Sequence, residues 1–273
     1  MMKWKIAVLL GAVLMVIGQA AAQEQTTFEY ENISFSYPSD LTIGVEAIEY
    51  SELVPQLSDS PFSITPAYTE FFLADYNNNA EAFHEPRILI YPTYNFETFQ
   101  NNDFPVFTIN GQRTMLQTIL ADTPELNDYV PPLIGESDPF EILPMLPIFN
   151  AVQVFRSQPE YVDFQNGSGI RYITYYSQAI NPIIDSELFY TFQGLTDDSA
   201  YYIAAILPIQ SGVLPTVIDD GFDIDAFSAT YTDYISELVN TLDGLEGEAF
   251  SPSLETLDGV ITSLFIDEAQ PED

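Results

Sequence analysis

Apolar and polar side chains alternate across residues 28–45. Phe28 and Tyr30, then Ile33, Phe35 and Tyr37, mark two short strands around Glu31-Asn32, stopped by Pro38-Ser39-Asp40. Leu41, Ile43 and Val45 carry the alternation onward. Residues 51–67 hold prolines and serines and read as loop, whereas Tyr68 to Tyr76 reads as a strand ending in the polar run Asn77-Asn78-Asn79. Arg87 to Tyr91 is a short buried strand. From Gln112 to Ala121, after Asn110-Gly111, the period changes: Met115, Leu116, Ile119 and Leu120 share one helical face. Six prolines between Pro124 and Pro147 break any regular element, which predicts a long loop crossing the body of the fold.

The second half is the most regular. Ala151 to Arg156, Glu160 to Gln165, Gly169 to Gln178, Glu187 to Gln193 and Ala200 to Ile209 read as successive antiparallel strands. Asn166-Gly167 marks one tight connection and Thr196-Asp197-Asp198-Ser199 another. Tyr201 to Leu207 is apolar on both faces, so it belongs in the centre of a sheet covered on both sides. Phe227, Tyr231, Tyr234, Ile235, Leu238, Val239 and Leu242 then recur at helical spacing. Ser251-Pro252 supplies an N-cap followed by proline at the first helical position, and Leu254, Leu257, Val260, Ile261 and Leu264 form the stripe of a closing helix.

These elements predict an α+β fold, a curved and mostly antiparallel β-sheet with helices packed on it. No internal repeat and no second composition divides residues 23–273, so one domain is expected, with the proline-rich loop at 124–147 lying on it. The opening hairpin ending in ISFSYP, the antiparallel meander and the amphipathic helix ending near TSLFI resemble the Mog1/PsbP-like sandwich. The stretches YVDFQNGSGIRYITYY and LFYTFQGLTDDSAYYIAAILP are similar to uncharacterised exported bacterial proteins. The resemblance implies a binding or assembly module, as relatives in that fold are mostly non-catalytic, and it transfers no catalytic motif.

The amino terminus changes the setting of this fold. Lys3, Trp4 and Lys5 precede the apolar run Ile6 to Ile17, and Ala20-Ala21-Ala22 follows, which is the layout of a secretory signal peptide spanning 1–22. Both lysines and the only tryptophan fall in that leader, whereas all 41 acidic residues lie beyond it. Cleavage moves the formal charge from −35 to 4 − 41 = −37, with Arg87, Arg113, Arg156 and Arg171 as the remaining strong cations. The expected location is secreted or periplasmic, without lipidation and without a transmembrane segment after cleavage. Four dispersed arginines cannot neutralise a run of phosphates, which argues against nucleic acid as partner and against anionic membrane surfaces. The absence of cysteine excludes disulfides and thiol chemistry. The charge keeps the protein hydrated, with adaptation to brine or calcium binding as alternatives.

Candidate chemistry is sparse. His84, the only histidine, sits in His84-Glu85-Pro86-Arg87 without a metal-ligand spacing, and reads as a strand-edge residue. Gly167-Ser168-Gly169 falls in a hairpin turn and lacks the spacing of a nucleophile elbow. With 41 acids some carboxylate pair will always suit glycoside hydrolysis, so abundance carries no information. Asp75-Tyr76-Asn77-Asn78-Asn79 begins like a calcium loop and then fails at Ala80 and Pro86. The densest acidic turn holds Asp219, Asp223 and Asp225, the candidate metal ligands for calcium, although the same residues also suit a helix N-terminus. No other cofactor is implied. The expectation is an exported, non-catalytic binding or assembly module of the cell envelope or extracellular space, whose partner is an unidentified protein or envelope ligand. The alternatives are a carboxylate-based hydrolase of extracellular polymer and a calcium-dependent surface protein.

Overall fold

The computed structural model describes residues 24–53, 65–78, 82–99, 108–132, 142–218 and 221–267. The leader and Asp219 lie outside them. Strands β1 (Gln25–Tyr30) and β2 (Ile33–Pro38) form the opening hairpin, with Glu31 at φ 51 in its two-residue turn. Next come β3 (Gly44–Tyr50), β4 (Tyr68–Ala74), β5 (Arg87–Pro92) and helix α1 (Ile109–Asp122). The meander is β6 (Val152–Phe164), β7 (Gly167–Ser177), β8 (Phe189–Thr196) and β9 (Tyr201–Pro208). Helices α2 (Ile224–Ser228), α3 (Tyr231–Asp243) and α4 (Leu254–Thr262) and the short β10 (Phe265–Ile266) complete the described chain.

The strands make two antiparallel sheets. One has three strands in the order β1-β2-β10, and the other seven in the order β3-β4-β5-β9-β8-β7-β6. Two meanders thus meet at β5 and β9, where Ile90 lies opposite Ile203. The result is an α+β fold with helices packed on a sheet. Strand β9 is the fourth of seven, as its two apolar faces require. Ile203, Ala205 and Leu207 join one core, while Tyr202, Ala204 and Ile206 join the other. The first core is closed by the opening hairpin, α3 and α4, and the second by α1 and the proline-rich segment around Leu143, Met145 and Leu146.

Local chemistry explains where the elements begin and end. Helix α4 buries Leu254, Leu257, Val260 and Ile261, worth roughly 6–12 kcal/mol gross at 1.5–3 kcal/mol per side chain. Its N-cap is Ser253, whose Oγ accepts the Thr256 N–H at 3.2 Å, and not Ser251. Ser251 instead exchanges backbone hydrogen bonds with Gln210, which places Pro252 before the helix and not in its first turn. The helical period from Phe227 to Leu242 is real, but Ala229-Thr230 interrupts it. The Thr230 hydroxyl and N–H both donate to Phe227 O, drawing the backbone out of the α-helical path.

The predicted strands 151–156 and 160–165 are one strand, β6, with register shifts between Gln153 and Phe155 and between Ser157 and Glu160. Gln158 takes φ 53 at the second shift. The β6–β7 hairpin exists, but its loop is Gln165-Asn166, one residue earlier than an Asn-Gly turn. Asn166 is occupied elsewhere: its side chain accepts from Ile266 N at 3.2 Å and donates to Ile266 O at 2.7 Å, tying the hairpin to β10. Gly167 serves close packing, since a Cβ there would meet Leu195 O at 2.3 Å.

Candidate functional site

The proline-rich segment is fastened to the second face of the large sheet by buried hydrogen bonds. Gln193, fully buried on β8, accepts from Leu146 N and from the Tyr202 hydroxyl, both at 2.8 Å. Its amide nitrogen donates to Leu146 O at 3.1 Å and to Thr191 Oγ1 at 2.9 Å. Gln112 of α1 accepts from Met145 N at 2.6 Å, and the Tyr172 hydroxyl donates to Pro144 O at 2.9 Å. Residues with few backbone partners of their own thereby acquire side-chain ones, which lets an irregular strap lie buried. Of the loop expected at 124–147, residues 124–132 and 142–147 are described, and these hydrogen bonds fasten 142–147.

One end of this strap leaves a gap. A cavity of about 50 Å³ lies between the strap (Ile142, Met145, Ile148, Phe149), α1 at Gln112, and the sheet at Val152, Gln153 and Tyr176. Its walls are mainly apolar, with Val152 42% exposed at the rim. Gln153 is 3% exposed, and its amide lies beside the Tyr172 hydroxyl. The Tyr172 hydroxyl donates to Pro144 O and keeps its lone pairs free to accept from the Gln153 amide nitrogen.

A second polar centre lies on the other face. Arg171, buried on β7, pairs with Glu160 of β6 and with Asp258 of α4, the latter at 3.4 Å, and donates to Gln158 O. The Tyr190 hydroxyl donates to Asp258 Oδ1 at 2.8 Å. Burial raises the proton affinity of Asp258, opposed by the Arg171 charge and the Tyr190 hydrogen bond. Arg171, Asp258, Glu255 and Gln158 border an open cleft beside α4. Every group at the centre of this cluster is engaged, and its evident effect is to anchor α4 to the sheet.

The residues singled out by sequence fall elsewhere. Asp223 is the N-cap of α2, accepting from Asp225 N at 3.1 Å and Ala226 N at 3.2 Å; Asp219 is outside the described residues. Among the described residues no group of three or more His, Asp or Glu side chains could hold a metal ion. Asn77 of the other candidate loop donates to Ser251 Oγ at 3.2 Å. Ser168 lies within β7, paired with Asp163 and Leu195, and not in the turn.

His84 packs edge-on to Phe189 at 4.5 Å and against Phe83 and Phe149. Burial first, then the Arg87 charge, lowers its pKa from 6.5 to about 4, and its Nε2 is buried without a partner. A folded pKa below the unfolded one means that the unfolded chain binds the extra proton. His84 thus favours folding above pH 6.5 and loses that contribution as pH falls towards 4, by roughly 3 kcal/mol at 1.36 kcal/mol per pKa unit. The stability difference between wild type and His84→Leu, from urea unfolding, should shrink or invert across that window. A constant difference from pH 7 to 4 would mean that the ring protonates freely in the folded state.

No protein-family model matches the chain, and neither the curated proteins nor the solved structures contain a match to it. Among the described residues no helix is long and apolar enough to cross a membrane.

Proposed function

We propose that the chain is an exported, non-catalytic binding module related to the Mog1/PsbP-like sandwich, and that it binds its ligand in the cavity under the proline-rich strap. The observation that supports this reading is Gln153. Its buried amide sets a polar group in the wall of a mainly apolar cavity, the combination of apolar lining and a few placed polar groups that small-molecule sites use. Native mass spectrometry of protein purified from an exporting host, compared with Gln153→Leu, tests it. A small molecule retained by the wild type and lost from the variant is the expected result, and equal retention by both would place the ligand elsewhere.

The hydrolase reading keeps one specific observation: Asp258 holds its proton more tightly than a free carboxyl in a cleft shared with Arg171, with the exposed Glu160 beside it. Turnover of glycosidic or ester substrates, abolished by Asp258→Asn in a folded variant, would replace the binding reading. No such turnover is expected, because Tyr190 and Arg171 both hold Asp258 Oδ1 in a cluster that anchors α4 to the sheet.

A further inference from the structure

The segment between β9 and α3 turns apolar side chains outward. Val213, Val217, Ile218 and Ile224 are all exposed, Val217 to 73%, and α2 buries none of its five residues. Single exposed apolar side chains are ordinary, but a run of them leaves in water an area that folding would otherwise have removed, and such patches mark interaction sites. The loop and α2 also share one footing. Pro215 O accepts from Asp185 N at 2.9 Å, and the Tyr234 hydroxyl accepts from Ile183 N at 2.9 Å. Helix α2 folds onto Tyr234 through Phe227, whose ring centroid lies 5.0 Å from that of the tyrosine. Residues 183–185 therefore hold the loop on one side and the α2–α3 junction on the other.

We infer that this surface docks a basic amphipathic segment of another protein, one that carries apolar side chains between lysines or arginines. Charge selects that occupant. Asp223, Asp225 and Asp233 are exposed on and beside α2, Asp219 and Asp220 belong to the same stretch of sequence, and no lysine or arginine follows Arg171. Arg171 itself is held by Glu160 and Asp258. Capping leaves Asp223 charged, because its Oδ1 accepts from two backbone amides and loses no charge by doing so. Any partner that covers the valines and isoleucines must therefore set its own charges against carboxylates. A second copy of this chain brings the same acids and is repelled, and an anionic lipid surface is repelled likewise. A basic segment meets opposite charge at the rim and apolar area at the centre, which favours both its encounter and its residence.

The test uses the intact mature protein, which has no tryptophan beyond residue 22, so a tryptophan placed in a peptide reports its own burial. Three peptides of equal length carry that tryptophan among leucine and lysine, leucine and glutamate, or serine and lysine. The leucine–lysine peptide should bind with a blue shift of its emission and keep measurable affinity in 1 M sodium chloride, where long-range attraction is screened. The leucine–glutamate peptide should not bind, and the serine–lysine peptide should bind only at low salt. Val217→Ser with Ile224→Ser should weaken the leucine–lysine peptide at least about tenfold, through lost apolar burial, and leave the melting temperature unchanged, since both side chains already face water. Ile43→Ser with Tyr94→Ser, at positions still more exposed, should not alter the affinity. Failure of the leucine–lysine peptide to bind, or equal effects of the two double variants, would overturn the assignment and leave bulk charge alone. A dimer in sedimentation, or binding to phosphatidylcholine vesicles, abolished by the first double variant would give the patch to a second copy or to lipid, and would overturn it as well.

Discussion

Replacing Arg171 by Met should destabilise the protein by about 3–5 kcal/mol, the range for breaking a buried ion pair by removing one partner. The guanidinium is buried and holds three groups at once: Glu160, Asp258 and the Gln158 carbonyl at the β6 irregularity. Its loss is not felt equally by the two acids. The Glu160 side chain is 62% exposed and is rehydrated, whereas that of Asp258 is 26% exposed and keeps only the Tyr190 hydroxyl. The damage is therefore concentrated on one carboxylate. Two consequences follow for urea unfolding measured at pH 7. Adding Asp258→Asn to Arg171→Met should recover much of the loss, because the uncompensated charge has gone. Acidification should do the same by protonating Asp258. Burial already raises that pKa and Arg171 opposes the rise, so without Arg171 the folded value climbs further above the unfolded one. A group with a raised folded pKa contributes stability below its unfolded pKa and loses it as pH rises, so the deficit should be smaller near pH 4 than at pH 7. A loss under about 1 kcal/mol in the single variant would mean that water reaches the cluster and the pair behaves as a surface one.

The strands and helices were legible because burial imposes its period on the chain. Tyr201 to Leu207 shows this best: only a strand covered on both faces tolerates seven successive apolar residues, and β9 is central with a core on each side. Boundaries were less legible where one hydrogen bond decides them. Ser251 and Ser253 are equivalent as sequence, and only the pairing of Ser251 with Gln210 leaves Ser253 to cap α4. Asn166 reads as half of a turn until β10, a hundred residues away, claims its side chain. The candidate site lay hidden for a related reason. Gln153 and Gln193 stand in apolar strand patterns, and that interruption was a usable signal. Nothing local distinguishes the two, however. Gln193 bonds the strap backbone at Leu146 whereas Gln153 lines the cavity beside it, and the path of the strap depends on tertiary contacts. Asp258 and Arg171 come together across β7 and α4 and leave no spacing in the sequence.

Raising sodium chloride from millimolar to molar concentration should stabilise the folded protein, with a rise in melting temperature of about 10 °C, equivalent to roughly 3–5 kcal/mol at 2–4 °C per kcal/mol. The chain carries 41 acids against four arginines beyond residue 22. Each arginine is already engaged: Arg87 by Glu70, Arg113 by Glu97, Arg156 by Asp243, and Arg171 by Glu160 and Asp258. Most carboxylates are therefore left to repel one another, and folding brings them closer. Two unit charges 10 Å apart in water repel by about 0.4 kcal/mol before screening, and dozens of such pairs accumulate to several kcal/mol. The Debye length of about 30 Å at 0.01 M lets most acids feel most others, whereas about 3 Å at 1 M confines each to its neighbours. Thermal melts across this range should rise and then level off; a melting temperature indifferent to salt would show that the acids are already dispersed. Calcium provides the contrast. At matched ionic strength a specific site adds a saturable increment that magnesium does not reproduce. The melts in the two cations should superimpose, because Asp223 spends its carboxylate on the backbone of α2. Asp223→Asn with Asp225→Asn makes the comparison clean, since asparagine caps a helix as well as aspartate does and the calcium-free melt changes only by the relief of two repelling charges. A calcium-only rise that disappears in this double variant would assign the ion to the 219–225 turn.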